Sequence, residues 1–109
     1  MKTTLLNDKQ IRPTEYTKWR HAHDQFARRD KDRVTVDEYK AQLLKGRPVE
    51  PITLGIDDRY HDVYVADGHH RAIAHIELGA PEFSFIWYWI RSFGVHMERD
   101  PFPYHLLSL

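Results

Sequence analysis

The sequence contains no cysteine. That excludes disulfides and zinc–thiolate sites, and it fits a reducing, cytoplasmic compartment. Long apolar runs are also missing. The longest, residues 85–90, falls far short of the ~20 residues of a membrane-spanning helix, so no membrane partner is expected. Met1 is followed by polar residues, and no signal peptide is expected. Net charge is absent too: 16 Lys and Arg balance 16 Asp and Glu. A neutral chain speaks against a strong nucleic-acid reader, because such domains are usually basic. There is no internal repeat, no low-complexity stretch and no His-Glu-X-X-His motif. His21 and His23 lie two apart on an expected helix and face different ways. His70 and His75 are five apart, which is also poor, so no dedicated zinc site is expected.

What is present is ordinary in bulk and uneven in detail. With 109 residues, 41% hydrophobic and 29% charged, the chain suits one domain with a modest core. Residues 1–47 hold 12 Lys and Arg against 7 Asp and Glu, a net +5. Residues 48–109 hold 4 against 9, a net −5. The basic half includes Arg28-Arg29-Asp30-Lys31-Asp32-Arg33. Arg28, Arg29, Lys31 and Arg33 form a candidate contact for DNA, weak and salt-dependent. Two aspartates interrupt the run, which favours a solvated helix end.

Taken in order, residues 5–11 suggest an edge strand ended by Pro13. Thr14 then caps a helix over residues 15–30, with Tyr16, Trp19, His23, Phe26 and Ala27 on one face. Thr35-Val36-Asp37-Glu38 matches a capping box opening a second helix, with Val36, Tyr39 and Leu43 as its buried stripe and Lys45-Gly46 as its stop. Ile52-Thr53-Leu54 suits a strand, Asp57-Asp58-Arg59-Tyr60 a hairpin loop, and residues 62–66 the returning strand. Residues 83–90 are apolar on both faces and suit a buried strand. Phe83, Phe85, Trp87 and Trp89 share one face of it. Exposed, they would stack on bases; in a domain this small they are expected in the core, with one tryptophan as a candidate subunit contact. Pro101 and Pro103 argue against regular structure in the tail. Residues 105–109 have three options: docking, pairing with a second copy in a homodimer, or remaining loose. The pattern is an α+β domain: one compact unit, a small mixed sheet and three main helices. Its core spans about 5–90, and 91–109 form a C-terminal extension.

The chain is organised around Asp67-Gly68-His69-His70-Arg71. Val63, Tyr64 and Val65 before it suit a strand. Asp67-Gly68 signals a tight turn, and helix formers run from His70 to Leu78, where Gly79 and Pro81 end them. A helix that starts straight after a glycine turn leaves backbone N–H groups unpaired. Those groups and the helix dipole favour a phosphate. Gly68, His69, His70 and Arg71 are therefore the candidate phosphate-binding residues. Arg71 suits two parallel hydrogen bonds to phosphate. His69 and His70 suit phosphate contact or proton transfer, against the plainer reading that one caps the turn. Asp67 is a turn and capping residue on its own prior, or a ligand reached through Mg²⁺.

Asp67-Gly68-His69-His70-Arg71, with Ala72 and Ala74 behind it and Pro51-Ile52-Thr53-Leu54 ahead, resembles the central motif of the ParB/sulfiredoxin superfamily. The form is that of ParB-like domains and of free serine kinases of that fold. The resemblance covers roughly residues 5–89. It implies a nucleotide ligand (ATP, ADP or CTP) with Mg²⁺. It implies an active-site role for Asp67 and, through a Pro-X-Glu setting, a general-base role for Glu15, with Glu50 as fallback and His69 as a further proton acceptor. It does not fix the reaction, since the superfamily spans partition proteins, kinases, a reductase and nucleases. A sulfiredoxin-type reductase is excluded, because its reactive cysteine is replaced here by His69. The leading expectation is a small nucleotide- or phosphate-binding domain with phosphotransferase or nucleotide-hydrolysing activity. The alternatives are a DNA-associated ParB-type module or nuclease, and a non-catalytic interaction protein of phage or mobile-element type.

Overall fold

Gly68 and Gly79 frame the helix on which the rest of the fold is hung. The computed structural model describes residues 1–57, 59–91, 94–98 and 101–107, with the backbone alone for residues 91 and 94–97. Asp58 of the expected hairpin loop and the last two residues of the tail lie outside the described residues. Among the described residues there are three α-helices: α1 (Trp19–Arg28), α2 (Asp30–Leu44) and α3 (His69–Leu78). There are four strands: β1 (Ile52–Asp57), β2 (Asp62–Asp67), β3 (Phe85–Arg91) and β4 (Gly94–Met97). No helix is long and apolar enough to cross a membrane among the described residues.

The sheet runs β2-β1-β3-β4. β1 is antiparallel to β2 and parallel to β3, and β3 is antiparallel to β4, so the sheet is mixed. The domain is a compact α+β fold, as the patterning predicts. Register explains the burial. Leu54 pairs with both Val65 and Trp87, and Ile56 with both Val63 and Trp89, so these side chains share one face. Ile52, Leu54, Ile56, Val63, Val65 and Trp87 are buried there, and Ala72, Ile73 and Ala74 of α3 join them in the core. Burying Ile73 alone is worth about 1.5–3 kcal/mol. On the other face Gly55 makes room for Tyr64: a Cβ at Gly55 would lie 2.6 Å from the tyrosine ring.

α3 ends as its sequence requires. Gly79 has φ 65°, its N–H bonds the Ile76 carbonyl, and the Ala80 N–H bonds the His75 carbonyl. Such a paired C-terminal cap needs a left-handed residue, which glycine adopts without strain.

Several expectations are corrected. Residues 5–11 form no edge strand: Thr3–Leu5 is a 3-10 helix, and only Arg12 bridges to β2. Asn7 is the reason, since its side-chain oxygen accepts from the N–H groups of Lys9 and Gln10 and turns the chain. The first helix starts at Trp19, not at residue 15. Asp8, not Thr14, accepts from the Trp19 N–H at 2.8 Å. On α1 the buried face is Trp19, Ala22 and Phe26, while Ala27 is exposed.

The second helix starts at Asp30, five residues before the expected capping box. Asp30 and Asp32 fill its first turn, which suits the helix dipole. Thr35 lies inside the helix, and its hydroxyl donates back to the Lys31 carbonyl. The stripe holds: Val36 is buried and Tyr39 and Leu43 are partly buried against the core. β3 starts at Phe85, with buried Phe83 ahead of it. The four aromatics pack inward as expected for core.

β4 was not expected within the extension. The tail docks: Tyr104–Leu107 is a 3-10 helix, with Leu106 and Leu107 buried. Phe102 meets Phe85 and Trp87 edge-on, each at 5.5 Å between ring centres.

Candidate functional site

The N-terminal turn of α3 is built from a residue that few others could replace. Gly68 precedes the helix with φ 101°, and a Cβ there would lie 3.1 Å from the Arg71 guanidinium. No side chain caps the first turn, so its N–H groups lack the usual side-chain partner. A cavity of about 200 Å³ lies at this turn. The motif residues Asp67, Gly68, His69, His70 and Arg71 line it from one side. Glu15, Thr35 and Tyr39 complete the wall. The fold thus gathers the five motif residues and Glu15 around one space. Glu50, the fallback base, is not among the lining residues.

His69 is only 4% exposed, and its ring is oriented by the backbone. The Thr14 N–H donates to Nε2 at 3.0 Å. The Thr14 hydroxyl donates to the Val65 carbonyl at 2.7 Å, which leaves it no proton for the imidazole. Nε2 is therefore the acceptor, and the proton of the neutral ring sits on Nδ1. Nδ1 faces Glu15, with its Oε1 3.9 Å away. Burial pushes the His69 pKa below its ordinary value. His70 acts in the same direction, while the Glu15 and Asp67 charges oppose it. His69 thus presents an N–H donor to the cavity, and its basic lone pair is already occupied. Of the three candidate proton acceptors, Glu15, Glu50 and His69, Glu50 does not line the cavity and His69 has its lone pair engaged, while Glu15 lines the cavity with an exposed carboxylate.

His70 and Arg71 hold the turn in place. His70 Nε2 lies 2.9 Å from Asp32 Oδ1, and the ring stacks on Phe26 at 4.3 Å with 4° between the planes. One side chain thereby joins α3 to both other helices. Arg71 is 7% exposed. Its Nη1 donates to the Pro51 carbonyl at 2.7 Å and its Nη2 to Asp67 at 3.1 Å, with Glu50 at 3.6 Å. The guanidinium clamps the Gly68 turn to the start of β1, so its first role is to position the turn. Asp67 and Glu15 remain exposed at the mouth.

Sequence reading missed Thr14, Thr35, Tyr39 and Asp32 as parts of the site. The four-residue spacing of Thr35 and Tyr39 was a usable signal, since it places both on one helical face. No local pattern marks the Asp32 pairing with His70, which spans 38 residues.

The basic residues of the run, Arg28, Arg29, Lys31 and Arg33, do not line the cavity and are partly engaged. Arg33 bonds Asp37 and Glu77, and Arg29 lies 4.0 Å from Asp32. Lys40 at 3.3 Å and His23 at 3.8 Å also converge on Glu77. Desolvation raises the Glu77 pKa, but the hydrogen bonds and charges of Arg33 and Lys40 outweigh it and hold it below the usual value.

For Mg²⁺ the fit is partial. No group of three or more His, Asp or Glu is poised to share a metal among the described residues. Two exposed carboxylates beside a phosphate-sized cavity do suit an ion that arrives with its phosphate. No family model, no curated protein and no solved structure matches this chain.

Proposed function

We propose that this cavity binds a phosphoryl group of a nucleotide (ATP, ADP or CTP) accompanied by Mg²⁺, and that the domain is a small ParB-like phosphotransferase or nucleotide hydrolase. The observation that carries the reading is the uncapped N-terminal turn of α3 opening on a small polar cavity that Glu15 also lines. The volume of about 200 Å³ is below the ~300–1,000 Å³ of pockets that enclose a drug-sized ligand. It suits a phosphoryl group, with the nucleoside resting outside.

Each residue then has a task. Gly68 and the first-turn N–H groups hold phosphate oxygens. His69 adds its Nδ1–H as a further donor. Asp67 and Glu15 place negative charge at the mouth. Bound Mg²⁺ would offset that charge and draw electron density from the phosphate oxygens. Arg71 fixes the turn, and its positive charge lies beneath it. In transfer, the acceptor oxygen forms its bond to phosphorus as the bond to the leaving phosphate oxygen breaks. The acceptor's proton passes to the Glu15 carboxylate. Positioning and charge stabilisation supply most of the acceleration.

A thermal-shift panel of ATP, ADP, CTP and GTP, with and without Mg²⁺, tests the reading first, since a ligand that binds the folded state raises its stability. A stabilisation that needs both nucleotide and metal supports it. Phosphate release and free-serine phosphorylation assays then separate an enzyme from a binding module.

A further inference from the structure

The far end of α3 borders a second cavity, of about 270 Å³, which shares no lining residue with the first. Leu43, Pro48, Val49 and Phe83 give it an apolar wall, and His75, Arg47, Glu82 and Ser84 supply polar groups. His75 sets its chemistry. The residue is 3% exposed, and its Nδ1 lies 2.7 Å from the Arg71 carbonyl. A carbonyl only accepts, so Nδ1 carries the proton and Nε2 keeps its lone pair. No described side chain or backbone group donates to that Nε2. Neither is it sealed away: the sealed, unpartnered side-chain atom among the described residues is Thr3 Oγ1. An acceptor placed this way is open to a donor that enters the cavity, from water or from a ligand. The rim adds one cation, Arg47, and one anion, Glu82, both exposed.

We infer that this cavity is a binding site for a compact zwitterion with an apolar body, of the class of branched α-amino acids. The ammonium donates to His75 Nε2 and faces Glu82. The carboxylate pairs with Arg47. The aliphatic side chain lies on Leu43, Pro48, Val49 and Phe83. The size agrees, because about 270 Å³ falls below the volume that drug-sized ligands occupy. The inference is independent of the phosphate reading.

The test uses the full ¹⁵N-labelled chain and L-leucine as the probe, followed through the His75 imidazole signals and by calorimetry. L-leucine should bind saturably and shift His75 Nε2. 4-Methylpentanoate, which lacks the ammonium, and 3-methylbutylamine, which lacks the carboxylate, should each bind roughly tenfold more weakly, the loss for one charge-assisted hydrogen bond. Arg47→Ala removes an exposed side chain, leaves folding intact and should weaken binding by a similar factor. Glu15→Gln, in the other cavity, should leave it unchanged. No saturable response to L-leucine, binding of either truncated probe as tight as that of L-leucine, or no effect of Arg47→Ala would each overturn the inference.

Discussion

The backbone N–H of Thr14 donates to Nε2 of His69 at 3.0 Å, and this bond decides what His69 offers the site. It fixes the neutral tautomer with the proton on Nδ1. Long-range ¹H–¹⁵N spectra of the imidazole should show a protonated Nδ1 and a bare Nε2 at pH 7.5. The reverse pattern would remove His69 as a donor to the cavity.

The same residue predicts a pH dependence. Burial lowers the folded-state pKa of His69 from the ordinary 6.5, so in the window below 6.5 the unfolded chain binds more protons. The contribution is fully present above 6.5 and is lost as pH falls through the depressed value. Urea denaturation at several pH values should show wild-type stability falling below 6.5, with a shallower fall in His69→Gln. Glu77 is separable, since its own lowered pKa acts only below about 4.5.

Arg71 and Gly68 form one device. Arg71→Ala leaves the Pro51 carbonyl without its donor and opens space below the turn, so it should cost about 2–3 kcal/mol of stability besides weakening phosphate binding. Gly68→Ala and Gly79→Ala both force a side chain into left-handed backbone, about 1–2 kcal/mol each. Only Gly68→Ala also presses on Arg71, whereas a Cβ at Gly79 meets nothing within 4 Å. Denaturant midpoints should rank Gly68→Ala below Gly79→Ala, and equal midpoints would contradict the packing described.

His70, Asp32 and Phe26 join the three helices. Asp32→Ala should destabilise by about 0.5–1.5 kcal/mol, the net value of one hydrogen bond. Phe26→Ala should cost about 3–5 kcal/mol through its core burial. A double-mutant cycle between positions 32 and 70 should give a coupling near 1 kcal/mol. A coupling of zero would mean that the pair adds nothing to the helix interface.

The motif and the core were the most legible parts of the chain. Strand-turn-helix around Asp67-Gly68 is a local signal, fixed by a glycine whose backbone angles no other residue adopts cheaply. The aromatic stripe of β3 and the Val36-Tyr39-Leu43 face were equally local. What sequence reading misplaced depends on distant partners or on competing local bonds. Asn7 folds residues 5–11 into a turn with its own side chain. Asp8 starts α1 from eleven residues away. Thr35 looked like a cap but bonds back into its own helix. By its place after the glycine turn Arg71 suits a phosphate clamp, and only the fold reveals that it reaches the Pro51 carbonyl twenty residues upstream.

The proposed phosphoryl site at the first turn of α3, with Glu15 as its base, gives every motif residue its role. Its most direct measurement is a nucleotide titration of the ¹⁵N-labelled protein with Mg²⁺, on wild type and on Glu15→Gln. ATP or CTP should shift the amide signals of Gly68, His69, His70 and Arg71 saturably and to the same end point in both proteins. Turnover of Glu15→Gln should meanwhile fall by about 10²–10⁴-fold, the usual loss for one proton-transfer group. Amides of the Gly68 turn that stay unmoved by every nucleotide tried would contradict the account.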